Sequence, residues 1–178
     1  MILPPEMLDA AESWSDECSG YDEAAALIRS FGSRETHDTA HHQSVWFCCL
    51  LYIRVLPTDI VMPTTNLTLG TIISDVQHWM LSGNRPDYTI RLCNPDLPFM
   101  ERTGDPCDAD YVETIPPLIR FALHGGVPDG VEVLDNAQIH DVYYHYVNPK
   151  AVSIGQWATS VALPASLAMR QLRPDEVR

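Results

Sequence analysis

With 178 residues, 46% of them hydrophobic, the chain is long enough for one domain with a real core. Its formal net charge is -13, with ten arginines and Lys150 as the single lysine, which excludes binding to nucleic acid or an anionic membrane by bulk charge. Any such contact has to come from a local basic patch or from apolar insertion.

Residues 1–42 carry nine acidic residues against Arg29 and Arg34, with one compact apolar patch, Ala24 to Phe31, suited to a short helix. That balance predicts an acidic N-terminal arm that is partly disordered when the protein is alone. At its tip Leu3, Pro4, Pro5 and Met7 are apolar residues that such an arm does not bury locally. The two consecutive prolines hold the tip extended, which lowers the entropy lost on docking. These four residues are therefore expected to dock onto the globular domain of another copy. His37, His41 and His42 beside Asp38 are metal-ligating types, but no periodic helix or strand is evident around them to fix ligands and a second shell. A solvated histidine-rich linker, with no metal, is the expectation.

From residue 43 to 178 the pattern is that of a globular domain. Ser44 to Leu56 is apolar on both faces and predicts a central strand covered on both sides, with Cys48 and Cys49 pointing opposite ways. Its longest apolar run, Val45 to Ile53, is far too short to span a bilayer, which predicts a soluble chain. Leu69, Ile72, Ile73, Val76, Trp79 and Met80 recur at helical spacing. Thr68 or Thr71 suits the start of that helix, Gly83-Asn84 its stop, and Pro86 blocks continuation. From Asp87 the period changes to two, so Tyr88, Ile90 and Leu92 predict one face of a half-buried strand.

Residues 94–117 are rich in proline and acid and predict a long flexible loop. Within it Leu97, Pro98, Phe99 and Met100 form an apolar tetrad, either folded back on the domain or exposed as a docking or membrane-contact plug. Leu118 to Leu123 and Val131 to Leu134 read as strands joined by the turn-rich stretch Gly125 to Gly130. Ile139 to Val147, β-branched and aromatic, reads as a last strand, on which His140 and His145 are satisfied or partly exposed histidines. Asn148-Pro149 then starts a helix carrying Ala151, Ile154, Ala158 and Val161 on one face beside Trp157, until Pro164 ends or kinks it.

Five cysteines without a regular framework, and no N-terminal signal pattern, predict reduced thiols in a cytosolic protein. Asn66-Leu67-Thr68 matches a glycosylation acceptor, which carries no weight without secretion. Cys93 and Cys107 have no basic neighbour in sequence to activate them. No phosphate-cradling glycine loop, nucleophile elbow or zinc-protease helix is present. The expectations are thus no catalytic residue, no cofactor and no enzyme. The fold expectation is α+β, a twisted antiparallel sheet packed with a few helices and preceded by the mobile acidic arm.

Three stretches together resemble the matrix proteins of rhabdoviruses. They are Asp75 to Leu92 with its tryptophan, glycine and basic-proline step; Gln138 to Trp157 with Asn148-Pro149; and Leu3-Pro4-Pro5-Glu6-Met7 in the arm. The likeness is diffuse and covers most of residues 44–160, and the size points to a plant-infecting member. Met7 stands where animal-virus relatives have the tyrosine of a late-domain motif, and the arm is acidic where theirs is basic. The resemblance implies a non-enzymatic structural protein of the virion, lying beneath the envelope and at the inner face of host membranes. It would associate with itself head-to-tail, condense the viral nucleocapsid, link it to the envelope and glycoprotein tail, and drive budding, without sequence-specific nucleic-acid binding. A host-directed module suppressing host gene expression is the alternative from another class, and a small metal-dependent hydrolase using the histidines is a third.

Overall fold

The computed structural model describes residues 2–15, 20–93 and 110–177. It corrects the expected α+β class, because the structure is 68% helix and 3% strand, and the described residues hold one two-stranded ladder in place of a twisted sheet. In order, the elements are α1 (Pro5–Trp14), α2 (Tyr21–Ser30), α3 (Thr39–Val55), β1 (Val61–Met62), β2 (Leu67–Thr68), α4 (Leu69–Ser82) and α5 (Thr89–Leu92). After residues 94–109 come α6 (Ile115–His124), α7 (Val127–Val147) and α8 (Ile154–Trp157). A π-helical stretch (Ala158–Ala162) continues α8 into α9 (Leu163–Leu167), and a last turn, α10 (Pro174–Val177), follows.

The helix α3 is the axis of the fold, packed against α4, α6, α7 and α9. Val45 to Tyr52 are all buried, so it is apolar on every side because other helices cover every side. Apolarity on both faces is shared by a central strand and a central helix. Length separates them, since strands run about 3–10 residues and this segment is longer. Asp38 caps the start, its carboxylate accepting from the His41 amide at 2.6 Å.

The α4 helix has the boundaries its sequence predicts. Thr68 accepts from the Thr71 amide at 3.1 Å, and Gly83 ends the helix in the left-handed region at φ 75°. The strand expected after it is instead the short helix α5, with Tyr88 turned back so that its hydroxyl donates to Asp75 at 2.8 Å. The strands expected at 118–123, 131–134 and 139–147 are likewise helical, in α6 and α7.

The N-terminal residues are part of this core. Met7, Ala11 and Trp14 of α1 and Ala24, Leu27 and Ile28 of α2 are all buried. The Trp14 ring meets Phe47 of α3 edge-on at 6.4 Å. The described residues of 2–42 therefore do not form an arm apart from the domain. Helical spacing of a few apolar residues (7, 11, 14) outweighs the acidic average, because the acids sit on the outer face. The C-terminal segment also closes on α3, where Trp46 donates to the Arg170 carbonyl at 3.1 Å.

Candidate functional site

The residues expected to carry self-association are split. Pro5 begins α1, Pro4 and Pro5 are exposed, Leu3 packs partly against the core, and Met7 is 1% exposed. Met7 thus finds its partner in its own chain. Leu97, Pro98, Phe99 and Met100 lie outside the described residues.

The histidine trio is not a solvated linker throughout. His37, His41 and His42 bring their ring nitrogens within 4.8 Å of one another, close enough to consider a metal. The donor inventory of His41 speaks against one. Its Nε2 lies 2.9 Å from the Phe121 carbonyl, which only accepts, so the proton is on Nε2. The remaining lone pair, on Nδ1, accepts from the His37 amide at 2.8 Å. Neither nitrogen is free for an ion, and Asp38 is committed to capping, accepting from the Arg34, Glu35 and His41 amides. Burial holds His41 below the ordinary imidazole value, and the neighbouring histidines push the same way. His41 is a satisfied link between the start of α3 and the end of α6.

Nucleophilic chemistry finds little support among the described thiols, Cys48, Cys49 and Cys93. Burial pushes Cys48 and Cys49 far up, and Cys93 up to about 11. His140 is buried, stacked on Tyr111 at 4.8 Å, and burial lowers its pKa as well.

The C-terminal half of α7 is different, because its two sides do different things. On the inner side lies a buried polar cluster that composition did not foretell. The Arg54 guanidinium sits between the Tyr144 ring at 4.9 Å and the Trp157 ring at 4.8 Å and donates to the Val152 carbonyl. Its Nε faces Asp141 Oδ1 at 3.9 Å, too long for a hydrogen bond, and neither atom has another partner among the described residues. Asp141 Oδ2 lies 3.1 Å from His145 Nδ1 and accepts from the Ile154 amide at 3.3 Å. Burial lifts Asp141 above the usual carboxylate range, with His145 and Arg54 opposing, and burial lowers Arg54. These contacts tie α7, α3 and the start of α8 together.

On the outer side Ile139, Val142, Tyr143, Tyr146 and Val147 are exposed, Val142 at 70%, Tyr146 at 89% and Val147 at 75%. Their i, i+3, i+4, i+7, i+8 spacing puts them on one stripe about 140° wide, the width a helix normally buries. At these exposures the five side chains present on the order of 700 Å², above the few hundred Å² usual for a monomer's largest apolar patch. An open hollow bounded by Tyr144, Val147, Asn148, Pro149, Lys150 and Ala151 extends it past the helix end. The stripe was legible in sequence as a 3-and-4 period, but the β-branched and aromatic composition of 139–147 concealed it.

No protein-family model, no curated protein and no solved structure matches this chain at a significant level. No helix among the described residues is long and apolar enough to cross a membrane.

Proposed function

We propose that this chain is a non-enzymatic structural protein that acts by associating with itself, and that the outward stripe of α7 is its contact surface. The observation carrying the reading is the stripe: five large apolar side chains at core spacing on a helix whose opposite face is already buried. Such a face is stable in water only at a cost of roughly 25 cal/mol per Å² left uncovered, so covering it is the favourable event. Acidic residues dominate the chain at -13 net charge, which disfavours an anionic bilayer as the cover. The virion matrix role, in which self-association condenses a nucleocapsid under an envelope, is the assembly such a surface would serve. It rests on the sequence resemblance, and the strand parts of two of its stretches, 87–92 and 139–147, are helical or turn in the fold.

Light scattering and sedimentation across a concentration series test the reading. The wild-type mass is expected to rise with concentration, and Tyr146→Asp, at an exposed position, to hold the chain monomeric with its melting temperature nearly unchanged. A wild-type mass that stays monomeric, or a variant that assembles as well as wild type, overturns it. A monomer that captures a host factor through the same face would favour the host-directed module instead.

A further inference from the structure

We infer that two copies of this chain meet through the α7 stripe about a two-fold axis, with the helices antiparallel and in one register. The inference rests on the self-association reading and adds to it the partner, the symmetry and the pairing.

The stripe is polar at both ends, with opposite signs. Asp135 lies one turn before Ile139 on the same face and is exposed; Lys150, just past Val147 and exposed, borders the same open hollow. Parallel pairing would set Asp135 against Asp135 and Lys150 against Lys150. Antiparallel pairing sets each against its opposite, twice per dimer, and like charges across an interface are costly. Glu132, about one turn before Asp135 on the same helix, is already bonded to Arg120 at 2.7 Å.

The register that joins Asp135 to the partner's Lys150 also fixes the interior. Pairing by position about its midpoint places Ile139 opposite Tyr146 and Val142 opposite Tyr143. These central contacts set an aliphatic side chain against an aromatic ring, large against small, which lets the two surfaces interdigitate, while Val147 at the end of the stripe lies over Gln138. A shift by one turn breaks this and leaves Lys150 either without a carboxylate or opposite Glu132, which Arg120 already holds. The stripe offers at most roughly 700 Å² per copy, just under the ~800 Å² per partner of a standard stable interface. Apolar area supplies the affinity, while the rim charges choose the direction. Because a two-fold contact closes on itself, it builds dimers, and head-to-tail growth would need a separate contact such as the exposed Ile2, Pro4 and Pro5.

A charge swap at the two ends is the test, read as the dimer dissociation constant by sedimentation at moderate salt. Asp135→Lys alone and Lys150→Asp alone should each weaken the dimer about tenfold, two rim pairs becoming two like-charge contacts. The double variant Asp135→Lys/Lys150→Asp should return to within a few-fold of wild type. If the singles weaken the dimer and the double does not recover, or if neither single has an effect while Tyr146→Asp still abolishes it, the antiparallel register is wrong and the self-association reading stands. If Tyr146→Asp leaves the mass unchanged, the reading itself fails. Both positions are exposed, and circular dichroism of each variant should match wild type.

Discussion

Gly155 stands where α8 passes the end of α1, and replacing it with alanine distinguishes a docked N-terminus from a free one. A Cβ at Gly155 would lie 1.9 Å from the Cβ of Ser15, 2.6 Å from its Oγ and 3.2 Å from its Cα. Non-bonded carbons rest at about 3.5–4.0 Å, so the end of α1 has to withdraw by about 2 Å. Rotating the Ser15 side chain does not relieve the clash, because the Cβ does not move with it. The withdrawal pulls on Trp14, whose carbonyl accepts from Gln138 at 2.6 Å and whose ring abuts Phe47. Overpacking of this kind costs about 1–3 kcal/mol. The ceiling is release of α1, which forfeits burial of Met7 and Trp14 at about 1.5–3 kcal/mol each.

The opposite sign is expected if α1 were not seated there. Glycine to alanine inside an exposed helix gains up to about 1 kcal/mol. Urea unfolding of Gly155→Ala, Ser15→Gly and the double variant separates the two cases. Seated helices predict a loss of about 1–3 kcal/mol for Gly155→Ala, largely recovered in the double variant, with a coupling energy above about 1 kcal/mol. Hydrogen exchange across residues 5–15 should quicken in Gly155→Ala alone. Equal or higher stability of Gly155→Ala, with no coupling to Ser15, would refute the packing of α1 on α8.

Arg54→Ala should cost about 3–5 kcal/mol, since it leaves Asp141 buried without its cation and empties the slot between Tyr144 and Trp157; Asp141→Asn should cost less, because Arg54 keeps its two rings and the Val152 carbonyl. With the folded pKa of Asp141 raised, its contribution is most favourable below the ordinary carboxylate value and declines as pH rises through the folded one, so the asparagine variant should lose that slope in pH-dependent urea midpoints. His41, His42 and His140 are all held low, first by burial, so the unfolded chain binds protons before the folded chain does. Their stability contribution is full above pH about 6.5 and is lost as pH falls below it; a melting temperature that does not drop between pH 7.5 and 5.5 would contradict that assignment.

What the sequence makes legible follows which physical signal governs each segment. In α4, caps, period and stop residue all agree, and the helix is found where they place it. In α3 the apolar pattern has no direction, because the helix is surrounded, and periodicity carries no information about a residue set buried on all sides. In α7 the signals conflict. Ile139, Val142, Tyr143 and Val147 favour a strand by local preference, yet the helix starts well upstream at Gly126 with Pro128 in its first turn and propagates through them. β preference largely reflects packing on a pleated surface, and among the described residues the short β1–β2 ladder is too small to supply one. The expected arm fails for a related reason: a mean over 42 residues cannot register three buried side chains one helical turn apart.

The Arg54 cluster is harder to foresee, since it joins residues far apart in the chain: 54, 141, 145 and 157. Its energetics bear on the stripe behind it. At 3.9 Å and without a hydrogen bond between them, Asp141 Oδ1 and Arg54 Nε compensate poorly for the desolvation that burial imposes on both. Apolar side chains of the same volume would hold the helices together at least as well. What apolar packing would not do is set rotation: a helix resting on a greasy surface slides and turns at small cost, whereas a guanidinium held by two rings, a carbonyl and a carboxylate has one placement. Asp141 and Tyr144 fix the inward side of α7 within the same two turns that carry Val142, Tyr143 and Tyr146 outward. A half-turn about the helix axis would bury the tyrosines and expose the aspartate. The cost of the ion pair therefore falls on the one segment whose orientation decides which residues a second copy meets.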